Sequence, residues 1–245
     1  MKIALLGYGK MGMEIERLVA KSNHEIVLII DSEDQWKKDA DKLTEAEVAI
    51  EFSMPQFTVE NILHCFDANI PVVVGTTGWI DHLEEIKKIC FERNQTIFYA
   101  PNYSIGVNIF FDLNCFLAGK MSKRKEYEIS IEETHHIHKK DAPSGTAIKL
   151  ANDIICNIGR KEKWVRDISE KPDELEIKSH RTENVPGTHV IKYESEDDSI
   201  QIIHTAKSRK GFALGAIMAA EYLIGKKGFF EMKDLLSSEN LIFPI

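Results

Sequence analysis

Three histidines fall within four residues at His135-His136-Ile137-His138, followed by Lys139, Lys140 and Asp141 and then by Ala142-Pro143-Ser144-Gly145-Thr146. Imidazole and amine groups packed this closely can give and take protons near neutral pH. The run leaves a strand and enters a helix whose apolar positions, Ile148, Ala151, Ile154, Ile155 and Ile158, follow helical spacing, with Pro143 or Ser144 as its natural start. At that start the N–H groups of Gly145 and Thr146, with the Thr146 hydroxyl, offer a site for a carboxylate. His135 and Lys139 supply protons and positive charge beside it. A metal centre built from His135, His136, His138 and Asp141 is disfavoured, because adjacent ligands at a strand end point to opposite faces and do not converge. No metal is expected, and a merely solvated basic loop is the plain alternative.

A second chemical signal lies at the other end of the chain. Gly7-Tyr8-Gly9-Lys10-Met11-Gly12 matches GxGxxG between the end of a strand and the start of a helix. Gly7 allows the tight turn, Gly9 lets a pyrophosphate approach backbone N–H groups, and Gly12 permits close helix packing. Asp31 lies 19 residues beyond Gly12, at the tip of the second strand, where a carboxylate hydrogen-bonds a ribose diol. The same carboxylate repels a 2′-phosphate, so NADH is expected to bind at least as well as NADPH unless Lys10, Lys37 or Lys38 compensates. Two further loops follow strands on the same sheet edge: Gly75-Thr76-Thr77-Gly78 and Ala100-Pro101-Asn102-Tyr103. They are expected to line the nicotinamide half, with Asn102 bonding the carboxamide, ordinary turns being the alternative. A dinucleotide loop together with a proton donor beside an anion site reads as a reductase.

The elements that must position these groups follow from periodicity. Residues 2–6 and 25–30 are short apolar runs ended by Gly7 and Asp31, and Met11, Ile15, Leu18 and Val19 recur between them at helical spacing. Runs at 48–52, 72–74 and 96–99 continue the strands, with helical patterns near 57–68 and 80–93. This alternation predicts an α/β fold with a Rossmann-type doubly wound parallel sheet. Beyond residue 103, Tyr127, Ile129 and Ile131 alternate with polar residues, and similar runs recur at 174–179, 188–193 and 199–204. They predict a second α+β domain on a mixed sheet. Residues 213–224 are apolar nearly all round, as for a helix buried between domains or subunits.

Composition narrows the class of partner. The chain has 245 residues, 43% hydrophobic and 29% charged, with a net charge of −8. Disordered and fibrous classes fall away, and the acidic balance argues against nucleic acid or a membrane surface as partner. Cys65, Cys90, Cys115 and Cys156 form no CxxC pair and are expected as buried thiols of a reducing compartment. The N-terminal apolar stretch is too short for a signal segment or a membrane span, so cytoplasmic residence is expected.

The segment from His135 through Ala147 strongly resembles the signature of the 4-hydroxy-tetrahydrodipicolinate reductase (dihydrodipicolinate reductase) family of the diaminopimelate route to lysine. Further segments of the chain support the likeness: the N-terminal glycine loop, 75–78, 101–108, 185–188 and 204–209. The resemblance implies that a cyclic imine dicarboxylate takes hydride from NAD(P)H, with water lost from its hydroxylated form. It implies Lys139 as proton donor, His135 assisting, and His136, Gly145 and Thr146 holding substrate. The cofactor would be held by Gly7, Tyr8, Gly9, Lys10, Met11, Gly12 and Asp31, and by Gly75, Thr76, Thr77, Ala100, Pro101, Asn102 and Tyr103. It further implies a dinucleotide-binding domain of 1–103 plus 210–245, a substrate-binding and oligomerisation domain of 104–209, closure of the two on substrate, and a homotetramer. Relative to the family's usual pattern the glycine loop is one residue shorter, Ser32 stands where an Arg is common, and the stretch from Asp31 to Val48 lacks a loop and strand. Ser32 in place of that Arg leans the cofactor to NADH. The alternatives in other classes are a dinucleotide-binding sensor without turnover and a reductase of another small imino or keto acid.

Overall fold

The computed structural model describes residues 1–169 and 171–238, so 239–245 of the expected segment 210–245 lie outside the described residues. The chain forms two compact units, one of residues 1–105 with the segment from Arg209 on, the other Gly106–Ser208.

The first unit is built on β1 (Lys2–Leu6), α1 (Lys10–Val19), β2 (Glu25–Ile30), α2 (Glu33–Asp39), β3 (Val48–Glu51), α3 (Pro55–Asp67), β4 (Val72–Val74), α4 (Leu83–Glu92) and β5 (Thr96–Tyr99). Its strands are parallel and, with a later strand at one edge, are ordered so that β1 lies between β2 and β3. Successive side chains of a strand face opposite sides, and here both sides are dry. Ile3 and Leu5 join one core with Ile15 and Val19 of α1, while Ala4 and Leu6 join the other with Ile62 and Phe66 of α3. Helices therefore cross on opposite faces either side of the β1/β3 pair, which opens a crevice at the carboxyl ends of those strands.

The second unit opens with α5 (Ile105–Met121, its first residue counted with the first unit) and continues with β6 (Glu128–His135), α6 (Gly145–Asn157), β7 (Lys163–Arg166), β8 (Glu174–Arg181), β9 (Gly187–Glu194) and β10 (Ser199–Ala206). Its five-stranded sheet has the order β10-β9-β6-β8-β7, antiparallel across β10, β9 and β6 and parallel across β6, β8 and β7. Ile129 and Ile131 of β6, Leu175 and Ile177 of β8, and Ile191 and Tyr193 of β9 bury one face against α5 and α6.

The chain then returns to the first unit with α7 (Lys210–Leu223), β11 (Gly228–Phe230) beside β5, and α8 (Met232–Ser238). The helix of 213–224, expected between domains or subunits, instead buries Ala213, Ala216, Ala219 and Ala220 in the first unit's own core beside α1 and the sheet. Its small residues explain the close fit: a Cβ added at Gly215 would lie 1.8 Å from the Tyr103 carbonyl oxygen. The cysteines also depart in part from expectation, since Cys65 and Cys90 are buried, Cys115 is half-buried and Cys156 is exposed. Among the described residues no helix is long and apolar enough to cross a membrane.

Candidate functional site

In the second unit the site grows out of strand periodicity. Ile129 and Ile131 face the core, and the same alternation carries Glu133 and His135 onto that face at the strand's end, both buried. The register sets Glu133 opposite Ser179 of β8 on one side and His189 of β9 on the other, and His189 in turn opposite His204 of β10. A polar row thus closes the apolar core at one end.

Glu133 is the hub of that row. Its carboxylate accepts from the Ser144 main-chain N–H at 3.1 and 3.2 Å, from the Ser179 hydroxyl at 2.8 Å and from Arg181 Nη2 at 3.4 Å. His135 Nδ1 lies 3.4 Å from its Oε2, and His189 Nε2 lies 3.7 Å from the same oxygen. Burial alone would raise this carboxyl's pKa, but hydrogen bonds from the His135, Ser144 and Ser179 side hold it well below the usual carboxylate range. His189 moves down to about 4, through burial first and then the nearby His135, with Glu133 opposing.

Beyond β6 the chain turns through the expected proton-donor segment. Lys139 pairs with Asp141 at 2.8 Å, and Arg181 donates to the carbonyls of Asp141 at 2.5 Å and Lys139 at 3.4 Å, bracing the loop from β8. Burial would raise the Asp141 pKa, but the Lys139 hydrogen bond brings it below the ordinary value. Ser144 caps α6 as the sequence implies, its Oγ accepting from the Ala147 N–H at 3.2 Å while it also meets His189 Nε2 at 3.2 Å. Gly145 is exposed with open space where a Cβ would stand, and Thr146 and His136 are half-buried. His138 is exposed and lies near His136 by ring contact at 6.2 Å, outside the buried cluster.

The residues among these that approach metal-ligand geometry are Glu133, His135 and His189, whose donor atoms lie within 4.8 Å of one another. Glu133 already accepts from Ser144 and Ser179, and the Arg181 guanidinium sits 3.4 Å away, where it would repel a bound cation. The cluster therefore reads as a hydrogen-bonded network.

In the first unit, Gly7 takes φ of +97° and packs so tightly that an added Cβ would lie 2.3 Å from the Phe52 carbonyl oxygen. Gly12 is equally confined, 2.4 Å from the Gly7 carbonyl oxygen, whereas Gly9 faces open space. Gly9 is also the N-cap of α1, and no side chain caps that helix, so its first N–H groups are left to an incoming anion. Asp31, exposed at the end of β2, accepts from the Tyr8 N–H at 2.7 Å, while Gln35 Oε1 accepts from the Asp31 N–H at 2.6 Å. Between β2 and α3 lies a cavity of about 800 Å³ whose walls include Gly9, Asp31, Glu33, Trp36, Lys37 and His64. The Trp36 ring stands 4.5 Å from the His64 ring and donates through Nε1 to Asn61 Oδ1 at 2.9 Å. Asn61 and Ser53 are bonded in turn to the buried Glu51, whose pKa is raised by burial against those bonds.

Lys10 is exposed and Met11 and Tyr8 are half-buried at the loop. Met11, Gly75, Pro101, Asn102 and Tyr103 share a second, smaller cavity of about 290 Å³ with Phe52, Arg209 and Phe212. Thr77 is exposed, whereas Thr76 and Ala100 are buried. The Tyr103 hydroxyl is committed to the sheet, donating to the carbonyls of Val74 at 2.8 Å and Phe98 at 3.2 Å. Asn102 Oδ1 accepts from the Ser104 N–H at 2.9 Å. Sequence reasoning missed Trp36, Asn61 and Glu51 here, and Glu133, Ser179, Arg181 and His189 in the second unit. An acidic residue at a strand's inward position was the available signal for Glu51 and Glu133.

The family described as dihydrodipicolinate reductase, N-terminus, matches residues 1–103, and that described as dihydrodipicolinate reductase, C-terminus, matches 106–236. The chain belongs to the dihydrodipicolinate reductase family. The 4-hydroxy-tetrahydrodipicolinate reductase of Christiangramia forsetii is 49% identical over 237 residues, covering 97% of this chain and 98% of that protein. That of Staphylococcus aureus is 35% identical over 252 residues, covering 96% and 100%. A solved dipicolinate-bound dihydrodipicolinate reductase from Paenisporosarcina sp. TG-14 shares the fold with a TM-score of 0.77 at 22% identity, over 94% of this chain and 97% of that one. An amine dehydrogenase from Mycobacterium smegmatis shares it more loosely, with a TM-score of 0.54 at 8% identity over 93% of each. The glycine loop falls in the segment matched by the N-terminal half of the dihydrodipicolinate reductase family, and the His135 to Ala147 segment in that matched by its C-terminal half.

Proposed function

We propose that this chain is an NAD(P)H-dependent oxidoreductase that reduces 4-hydroxy-tetrahydrodipicolinate (dihydrodipicolinate) to tetrahydrodipicolinate in the diaminopimelate route of lysine biosynthesis. The observation that carries the reading is the match of both halves of the chain to the two halves of one reductase family. The sensor and altered-substrate readings have no comparable support.

The first unit suits a dinucleotide. The open space at Gly9 and the uncapped start of α1 suit a pyrophosphate, with Tyr8, Lys10 and Met11 around it. Asp31 Oδ1 is held by Tyr8, which leaves the other carboxylate oxygen to a ribose diol. Glu33 adds a second carboxylate to that wall against the single ammonium of Lys37, so the pocket favours NADH over NADPH. The loops at Gly75, Thr76 and Thr77 and at Ala100, Pro101, Asn102 and Tyr103 are assigned to the nicotinamide half.

In the second unit the N–H groups of Gly145 and Thr146 and the imidazole of His136 hold the substrate carboxylates. The cofactor when bound supplies hydride to the conjugated imine. Lys139 donates the accompanying proton, and Asp141, 2.8 Å away, holds its Nζ in place. His135 shares in the proton transfer from a buried position where water competes little. A cytoplasmic homotetramer belongs to the same proposal.

The test couples the chain to a dihydrodipicolinate synthase supplying fresh substrate and follows oxidation of NADH and NADPH separately. Rapid oxidation supports the reading, and the ratio of rates reports how the Asp31 pocket treats the ribose. NADH binding without oxidation of either cofactor overturns it.

A further inference from the structure

Glu133 is fully buried, and a carboxylate in that position is retained at a cost in desolvation that only close partners offset. Ser144 at the start of α6 and Ser179 and Arg181 of β8 hold it, and two imidazoles face its Oε2, His135 by Nδ1 at 3.4 Å and His189 by Nε2 at 3.7 Å. The two rings are not equivalent. His189 is kept neutral by burial, and its Nε2 also meets the Ser144 hydroxyl at 3.2 Å. His135 Nδ1, by contrast, is buried without a closer hydrogen-bond partner, and the Glu133 carboxylate 3.4 Å away is the acceptor that faces it. The rest of the ring is placed by a gap: a Cβ on Gly187 would lie 2.9 Å from His135 Nε2, so glycine there leaves room for the ring edge.

We propose that Glu133 is the positioning residue for His135, taking its Nδ1–H so that Nε2 is the atom left to exchange a proton with substrate, while its bonds to the Ser144 N–H tie the same ring to the start of α6. The proposal deepens the reading in which His135 takes part in reduction and rests on it for its effect on turnover. The logic is that of a carboxylate fixing one tautomer of an acid–base histidine.

The experiment is Glu133→Gln, which keeps an oxygen for Ser144 and Ser179, measured alone and with His135→Asn, beside ¹⁵N spectra of the His135 ring. The expected result is a fall in kcat of about 10- to 100-fold with the KM for NADH unchanged. In the His135→Asn background the same change should alter kcat by less than about 2-fold. The spectrum should show an Nδ1–H tautomer in the native protein and its loss in Glu133→Gln. Independent, multiplying losses in the two backgrounds, or an unchanged tautomer, overturn the proposal. Full turnover by His135→Asn would defeat the catalytic reading of His135, and the spectra would still decide whether Glu133 positions the ring. Should Glu133→Gln fail to fold, the native spectrum carries the test, and an Nε2–H tautomer in the neutral ring overturns it.

Discussion

The main-chain N–H of Tyr8 donates to Asp31 Oδ1 at 2.7 Å, so one carboxylate both shapes the glycine loop and faces the cavity beside it. In the proposed dinucleotide site, removing it would take away a ribose contact and a source of repulsion toward a 2′-phosphate. Asp31→Ala should weaken NADH more than NADPH, narrowing or inverting the preference. Fluorescence titrations with both cofactors check this, and equal losses would count against Asp31 as the ribose reader.

Lys139→Ala should lower kcat at least ~100-fold with NADH affinity nearly unchanged, since proton donation contributes ~10²–10⁴-fold. Asp141→Asn keeps the amine and removes only its 2.8 Å partner, so its loss should be smaller. Steady-state kinetics beside NADH binding separate the two, and unaltered turnover in Lys139→Ala would remove that residue from its role.

The glycines of the first loop differ in what surrounds them. A Cβ at Gly12 would lie 2.4 Å from the Gly7 carbonyl oxygen, a backbone atom that cannot yield cheaply, whereas Gly9 has nothing within 4 Å. Gly12→Ala should therefore lower Tm by several degrees through overpacking. Gly9→Ala should fold with little change in Tm but lose NADH affinity by at least about 10-fold, because the added methyl occupies space assigned to phosphate. Thermal melts paired with binding isotherms test both, and full NADH affinity in Gly9→Ala would move the phosphates elsewhere.

Much of this was legible where one periodicity dominated. The strands of the first unit are dry on both faces, so their apolar runs stand out, and the alternation of Ile129 and Ile131 announced β6. The helix α5 escaped because Ile109, Leu113 and Phe116 are exposed while Val107, Phe110 and Phe111 are buried, which erases the amphipathic contrast. The short α2 escaped although Ser32 and Gln35 carry a capping pattern, with Ser32 Oγ accepting from the Gln35 N–H and Gln35 reaching back to Asp31. Glu133 falls in the inward phase set by Ile129 and Ile131, but only the register against Ser179 and His189 shows what meets it there. Such cross-strand partners are far apart in sequence, and no local pattern records them.

His189 gives the acid side of stability a particular shape. Its pKa falls from the ordinary 6.5 to about 4, through burial first and then the nearby His135. Between those values the unfolded chain takes up a proton that the folded protein refuses, so stability is full above about pH 6.5 and falls as the pH drops toward 4. The loss is on the order of 3 kcal/mol once both states are protonated. Glu133 acts in the same direction but lower, because its stabilisation is present above the ordinary carboxylate value and is lost only as the pH falls through its depressed folded value. The window between 4 and 6.5 thus belongs to His189 and, in the same direction, to His204 opposite it, whose pKa burial also lowers. His189→Gln removes the ionisable group, and it should shift Tm at neutral pH through the lost Ser144 contact yet decline less steeply than the native protein as the pH is lowered through that window. Melting curves across the window decide the matter, and parallel slopes for the two proteins would place the acid sensitivity on another group.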